Sequence, residues 1–104
     1  MTPADALEKA AELVRAGWIQ GDYYDDAETQ FCAMGALSKA CGERNLLEGV
    51  GIGSPLPLAR AALVEQVGTA LVTVWNDHPE RTQDEVVEAM LQAAKILRNQ
   101  EVPA

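Results

Sequence analysis

Trp75-Asn76-Asp77-His78-Pro79 is the stretch around which this chain is organised, and it is called the joint below. A long apolar run ends there and a new helical pattern begins a few residues later. The joint contains the chain's only His and one of its two Trp. Asn tolerates the left-handed conformation that ends many helices, and Pro79 disfavours a helical His78. We therefore predict a turn between two helices, fixed by hydrogen bonds from Asn76 and Asp77 to local backbone.

Apolar residues recur at helical spacing on both sides of the joint. Residues 57–75 are apolar around most of a helical circumference, which is typical of a helix at the centre of a fold or in a subunit contact. After the joint, Thr82 and Glu85 form a capping box that begins a helix running to about residue 99. These two segments predict a central apolar third helix and a half-buried fourth.

A first helix is predicted over residues 3–16. Thr2 has the residue type and position of an N-cap, with Asp5 three residues later. Gly17 is a suitable C-terminal stop. Trp18 follows at once, and we expect it to fold back as an apolar plug beneath the helix end.

A second helix is predicted over about residues 30–41, and it is rich in small residues that include Cys32 and Ala36. Gly inside a helix costs up to about 1 kcal/mol relative to Ala, so Gly35 is expected to face a closely approaching backbone. Gly68, within the third predicted helix, raises the same expectation. We predict that Gly68 meets the face formed by Gly35 and Ala36.

The predicted fold class is therefore all-α. We expect a single domain, residues 1–104, built as a compact bundle of four main helices at about 3–16, 30–41, 57–75 and 83–99. Hydrophobic residues make up 48% of the chain and aromatic residues only 5%, so the core must consist mainly of Ala, Leu and Val. Ala and Leu form helices well and sheets poorly, which supports the same class.

The charge balance limits the classes of partner. Eight Lys and Arg stand against 16 Asp and Glu, for a net charge of −8. The negative electrostatic potential of such a chain repels nucleic acids and anionic membranes, so we expect neither as a partner. A protein with a basic surface is an expected partner.

The cysteines and the absence of targeting patterns predict the cellular compartment of the protein. The sequence shows neither a signal-peptide pattern nor an apolar run of about 20 residues that could span a membrane. Cys32 and Cys41 fall in one predicted helix about 13 Å apart along its axis, too far for a disulfide. Two reduced thiols indicate a cytoplasmic protein.

Two loops invite ligand-binding interpretations that their spacing rejects. Residues 21–28 carry four acids but lack the alternation and the glycine of a calcium-binding EF-hand loop. Residues 49–57 contain Gly-x-Gly-x-Gly, which is neither a dinucleotide-binding nor a phosphate-loop spacing. We predict no cofactor, and we expect the acidic loop to be a contact surface formed by Tyr23, Tyr24, Asp25 and Asp26, because aromatic residues are enriched at interfaces.

One catalytic arrangement is conceivable. Cys32 is expected in the first turn of a helix, where the helix dipole lowers a thiol pKa, and a thiolate oriented by His78 and by Asp77 or Asn76 is a known nucleophilic arrangement. The alternative is that Cys32 is a small buried packing residue. A metal site from Cys32, Cys41 and His78 has no recognisable ligand spacing and lacks a fourth ligand.

Several of these residues also carry a family resemblance. Gly17-Trp18, Cys32-Ala33-Met34-Gly35-Ala36-Leu37, Trp75-Asn76-Asp77 and Thr82-x-x-Glu85-Val86 resemble a family of small actinobacterial and phage proteins of unknown function. The resemblance implies no activity. It implies that the cysteine-containing helix and the joint belong to one framework, whose motif residues are Trp18, Cys32, Gly35, Ala36, Trp75, Asn76, Asp77, Thr82 and Glu85.

The function that these observations favour is that of a small, acidic, non-catalytic interaction factor, phage or phage-derived, that binds a host protein. The apolar surplus of the third and fourth helices also makes a homodimer an expectation. The alternatives are a small enzyme that uses Cys32 and His78, and an acidic inhibitor that mimics DNA. The acids are spread over every segment, which counts against the DNA mimic.

Overall fold

Five α-helices form the fold in the computed structural model, which describes residues 1–42 and 53–101. Within these ranges the chain contains no β-strand, only isolated bridges of Phe31 to Trp18 and to Tyr24, so the all-α prediction is confirmed. Residues 49–52 of the connection predicted at residues 49–57 lie outside the described residues. The helices are α1 (Pro3–Ala16), α2 (Ala33–Ala40), α3 (Leu56–Val67), α4 (Val72–Asn76) and α5 (Gln83–Glu101).

Side-chain caps begin α1 and α5, as predicted. Thr2 Oγ1 accepts a hydrogen bond from the Asp5 backbone N–H at 3.1 Å, and Asp5 Oδ2 accepts one from the Thr2 N–H at 3.2 Å. Thr82 and Glu85 make the same reciprocal pair at 3.2 and 2.9 Å. Each pair satisfies backbone donors that the first turn of a helix leaves without intrahelical partners.

The helix at the centre of the fold is α1, so the prediction of a central third helix was wrong. α1 packs against α2, α3 and α5, with its most extensive contact along α5. α3 remains partly uncovered, because it buries one narrow side while Leu58 on another side stays 66% exposed. Four of the six buried residues of α1 are alanines, which lets neighbouring helices approach it closely; the six are Ala4, Ala6, Leu7, Ala10, Ala11 and Val14.

The predicted third helix, residues 57–75, is two helices with a break between them. α3 ends at Gly68, whose φ of 83° is left-handed, and α4 begins at Val72. Glycine adopts this conformation readily because it has no Cβ to clash with the backbone. A Cβ built on Gly68 would meet no atom within 4 Å, so the predicted contact of Gly68 with Gly35 and Ala36 is also wrong.

Long polar side chains tie α5 to α1 at both ends. Arg98 donates hydrogen bonds to Asp5 Oδ1 at 2.7 Å and to Glu8 Oε2 at 2.9 Å. The bond from Arg98 is the main reason that the pKa of Asp5 falls to about 2. At the other end, Gln83 Nε2 donates to the carbonyl oxygens of Val14 and Arg15 at 2.7 and 3.2 Å, where α1 ends.

No helix in the described ranges combines the length and the apolar character needed to cross a bilayer.

Candidate functional site

Asn76 lies at the centre of the joint and is completely buried. Its Oδ1 accepts hydrogen bonds from Trp18 Nε1 and from the Ala33 backbone N–H, both at 2.9 Å. Its Nδ2 donates to the Ile19 carbonyl oxygen at 3.1 Å and to Asp77 Oδ1 at 3.0 Å. The amide therefore uses two acceptor and two donor positions, which is its full capacity.

These bonds connect three segments that are distant in sequence. Trp18, Ile19 and Ala33 lie 58, 57 and 43 positions from Asn76. The prediction that the Asn76 side chain bonds local backbone was therefore wrong, because the backbone groups it bonds belong to Ile19 and Ala33. Asn76 is also not left-handed, because Glu28 is the only non-glycine residue with positive φ in the described ranges. The buried end of α4 faces remote segments, and the amide bonds to them.

Asp77 and Gln20 extend this network towards the surface. Asp77 Oδ1 also accepts a hydrogen bond from the Gly21 backbone N–H at 3.0 Å. Gln20 Nε2 donates to the carbonyl oxygens of Asn76 and His78 at 3.0 and 2.9 Å. Sequence reasoning missed Gln20, because nothing in a local pattern connects it to residues more than 50 positions away.

Arg81 contacts both the ring and the backbone of Trp75. The Arg81 guanidinium carbon lies 4.1 Å from the centre of the Trp75 ring, a cation–π geometry, and Arg81 Nε donates to the Trp75 carbonyl oxygen at 3.0 Å. Arg81 also pairs with Glu85 at 3.3 Å. Hydrogen bonds from Thr82, with the charge of Arg81, hold the pKa of Glu85 below its usual value. In the sequence, the only pattern that indicates the ion pair of Arg81 with Glu85 is their spacing of four residues.

Gly35 makes the close backbone approach that its sequence position predicted, but its partner is Tyr23. A Cβ built on Gly35 would overlap the Tyr23 carbonyl oxygen. The same oxygen accepts a hydrogen bond from the Cys32 backbone N–H at 2.9 Å. Ala36, one residue further along α2, is fully buried. Gly35 therefore makes room for the backbone of Tyr23, not for Gly68.

Cys32 is the N-cap of α2 and lies before its first turn. Its Sγ accepts a hydrogen bond from the Gly35 N–H at 3.3 Å, and the residue is only 2% exposed. Burial raises the pKa of the thiol, and the nearby charge of Asp77 raises it further. This is opposite to the lowered pKa that the helix dipole led us to expect. A thiol that stays protonated is a poor nucleophile.

The structure brings Cys32 and Asp77 together but leaves His78 apart. Cys32 and Asp77 line one small depression of about 290 Å³ with Gly21, Asp22, Tyr23 and Thr73. His78 is exposed, and its Nδ1 accepts a hydrogen bond from the Glu80 N–H at 3.1 Å. No hydrogen bond in the described part of the chain joins the imidazole to Cys32 or Asp77, so the nucleophilic arrangement is not assembled.

The two cysteines lie at opposite ends of α2. Cys32 precedes its first residue and Cys41 follows its last, and no disulfide joins them. Across residues 1–42 and 53–101, no three His, Cys, Asp or Glu side chains are grouped so that they could hold a metal ion.

Residues 21–30 form what is called the tyrosine loop below. Tyr23 and Tyr24 are 46% and 42% exposed, and Asp26 is exposed beside them. The Asp25 carboxylate instead accepts hydrogen bonds from the backbone N–H groups of Gln30 and Thr29 at 3.0 and 2.7 Å, which lower its pKa. Asp25 therefore shapes the loop, while the two tyrosines and Asp26 are accessible to a partner.

Comparison with known proteins assigns a family. No curated protein and no solved structure matches the chain. Residues 1–96 match the family described as "Family of unknown function (DUF6197)". The matched range contains the joint, the tyrosine loop and α2. The chain therefore belongs to this family of unknown function.

Proposed function

We propose that this protein is a non-catalytic interaction factor that binds a partner protein through the tyrosine loop. The observation that carries the proposal is the exposure of two adjacent tyrosines, Tyr23 at 46% and Tyr24 at 42%. Tyrosine is enriched at protein interfaces, because its ring contributes a large contact area and its hydroxyl can hydrogen-bond at the wet edge.

The loop backbone is ordered by its own hydrogen bonds. The Tyr23 carbonyl oxygen accepts from Cys32 N, and Asp25 N donates to the Gln30 carbonyl oxygen at 3.1 Å. The Asp25 carboxylate also accepts from the Thr29 hydroxyl at 2.8 Å. A loop that is ordered before binding loses less conformational entropy on binding, so more of its contact energy contributes to affinity.

The charge around the tyrosines favours a partner with a basic surface. Asp22, Asp26 and Glu28 are all exposed, and the chain carries a net charge of −8. Glu28 has an ion-pair partner, Lys39, at 3.7 Å, but both side chains are about half exposed and the pair is weak. Electrostatic attraction would speed association with a cationic protein and would weaken as salt is added.

The state of Cys32 supports a non-catalytic role, because a buried thiol with a raised pKa is better suited to packing than to attack on a substrate. The resemblance to small actinobacterial and phage proteins supports a host protein as the partner. The two cysteines, which no disulfide joins, favour action in the cytoplasm.

The test is to immobilise the full-length chain and to capture proteins from an extract of the proposed host cell. The same capture is carried out on the double variant Tyr23→Ser/Tyr24→Ser. We expect a captured protein whose yield falls at least about tenfold with the double variant, as for loss of interface hot-spot residues. Its yield should also fall as salt rises. The control is Val74→Ser, which removes a 63% exposed apolar side chain from α4, outside the tyrosine loop, and should retain the partner.

Far-UV circular dichroism of all three proteins establishes that they are equally folded. Equal capture on the wild type and the double variant would contradict the proposal, as would a captured protein that is insensitive to salt.

A further inference from the structure

A groove that uses none of the tyrosine-loop residues runs along the seam between α3 and α5. One half of it has a volume of about 540 Å³ and an apolar lining. Leu58 and Ile96, which are 66% and 47% exposed, both line this half, so two large aliphatic side chains are grouped in one surface depression. Its apolar residues are Pro3 from α1, Leu58, Ala61 and Ala62 from α3, and Ala93, Ile96 and Leu97 from α5, and its polar residues are Glu65, Gln66 and Gln100.

The groove continues towards α4 and the beginning of α5. Gln66 lines both halves, and Gln92 of this half is next in sequence to Ala93 of the first, so the two depressions follow each other along the same seam. Trp75, from the joint, and Val67 form part of the floor of this second half. Its wall on the α5 side is acidic and includes Asp84, Glu85 and Glu88.

The charges along the groove are of one sign. Glu65 lines the apolar half, and Asp84 and Glu88 line the other half; all three are exposed. Arg81 neutralises Glu85, but none of the ion pairs found in the described ranges involves Glu65, Asp84 or Glu88. Among the described residues, those that line the two halves include no Lys or Arg. The groove is thus apolar at one end and negatively charged towards the other.

The length of the groove matches a helix. The α5 residues that line it extend from Asp84 to Gln100, which at the rise of an α-helix corresponds to about 24 Å. A helix of about 16 residues has this length, and its apolar face can occupy a groove between two helices. A peptide that binds by adding a strand would require a sheet edge, and the described residues form no strand.

We propose that the α3–α5 groove binds an amphipathic, basic α-helix of a partner protein. Its apolar side chains lie on Leu58 and Ile96, and its Lys or Arg side chains lie against Asp84 and Glu88. A second copy of this chain is a poorer occupant, because it brings another net charge of −8 to an already acidic groove. The proposal goes beyond the tyrosine loop and does not depend on it.

The test uses three fluorescein-labelled peptides of about 16 residues, the length that fits the groove. The first is a Leu- and Lys-rich amphipathic helix, the second has every Lys replaced by Glu, and the third is a scrambled Lys peptide without an apolar face. Fluorescence anisotropy with the full-length protein should show that the first peptide binds at least about tenfold more tightly than the other two. Binding of the scrambled peptide with equal affinity would show unspecific charge attraction and would overturn the proposal.

Variants of the protein locate the binding site. Leu58→Ser/Ile96→Ser and Asp84→Asn/Glu88→Gln should each weaken binding of the first peptide by about tenfold. The charge variant should also reduce its salt dependence. Tyr23→Ser/Tyr24→Ser should leave it unchanged, so failure here and failure of the tyrosine-loop proposal are distinguishable. Unchanged binding in both groove variants would overturn the proposal. So would a concentration-dependent dimer in light scattering that Leu58→Ser/Ile96→Ser abolishes, because a second copy would then occupy the groove.

Discussion

The joint and helix α3 differ in the polarity of the residues that they bury and expose. The joint is built around the polar residue Asn76, which is fully buried and makes four hydrogen bonds with its side-chain amide. α3 is mainly apolar, yet Leu58 is 66% exposed and only Leu56, Ala59 and Leu63 are buried. The joint, which contains the only His and one of the two Trp, thus connects distant segments through a buried amide, whereas common aliphatic residues remain on the surface.

This difference shows that neither polarity nor rarity identifies a binding site. A buried polar group is stable when every donor and acceptor is paired, as it is for Asn76. An apolar helix can be stable even though other helices cover only part of its circumference. The uncovered part is then available to another molecule. In this molecule the residues that suggested a site hold the fold together, and the helix that suggested a core presents open surface.

The largest effect is expected at the centre of the joint. Asn76→Ala would leave Trp18 Nε1, the Ala33 N–H and the Ile19 carbonyl oxygen without their partner. Each unsatisfied buried group costs about 1–3 kcal/mol, so we expect the free energy of unfolding to fall by at least about 3 kcal/mol. Urea denaturation followed by tryptophan fluorescence measures this loss. The control is Asn99→Ala, an exposed position on α5, which should change stability by less than about 0.5 kcal/mol; similar losses for both would contradict the role of Asn76.

An intermediate effect is expected where α2 meets the tyrosine loop. Gly35→Ala would force a Cβ into the Tyr23 carbonyl oxygen, and backbone cannot move aside as a flexible side chain can. Overpacking of this kind destabilises by about 1–3 kcal/mol, and we expect the upper end of that range. Gly68→Ala is the matched control at the end of α3. It adds a Cβ in open space and costs only the strain of a left-handed conformation, about 1 kcal/mol. A larger loss at Gly68 than at Gly35 in thermal or chemical denaturation would reverse this assignment.

The smallest effect is expected on the open side of α3. Leu58→Ser removes a side chain that is mostly in water already, so the free energy of unfolding should change by less than about 0.5 kcal/mol. Leu63→Ala, on the buried side of the same helix, should cost about 2–5 kcal/mol because it leaves a cavity. Chemical denaturation compares the two. A large loss for Leu58→Ser would show that this face is covered in the free protein.

Features that depend on neighbouring residues could be predicted from the sequence. The two capping boxes, Thr2 with Asp5 and Thr82 with Glu85, each join residues three positions apart, and both were predicted. The bounds predicted for the first helix also agree with α1 (Pro3–Ala16). In these cases the physical cause of the structure is contained within a single helical turn.

Features that depend on remote partners could not be predicted in this way. The hydrogen bonds of Asn76 connect positions 43 to 58 residues apart, so a local pattern suggested only a turn. The break at Gly68 was missed because a glycine costs a helix too little to contradict a long apolar run. That run also has no single apolar side, so its composition predicts burial without saying which side is buried. The helix that carries Cys32 was predicted to begin at about residue 30 but begins at Ala33. The helix-dipole argument also left out the burial that raises the pKa of the thiol.

The clamp between Arg98 and α1 has a consequence for how the chain folds during synthesis. Arg98 lies 90 positions from Glu8 and 93 from Asp5, so the contact between α1 and α5 closes a loop that contains most of the protein. At usual rates of translation, synthesis of α1 is complete roughly 4–17 s before that of α5. During that interval the apolar side of α1 lacks its main partner. Because four of its six buried residues are alanines, α1 exposes little apolar surface to other nascent chains before α5 has been synthesised.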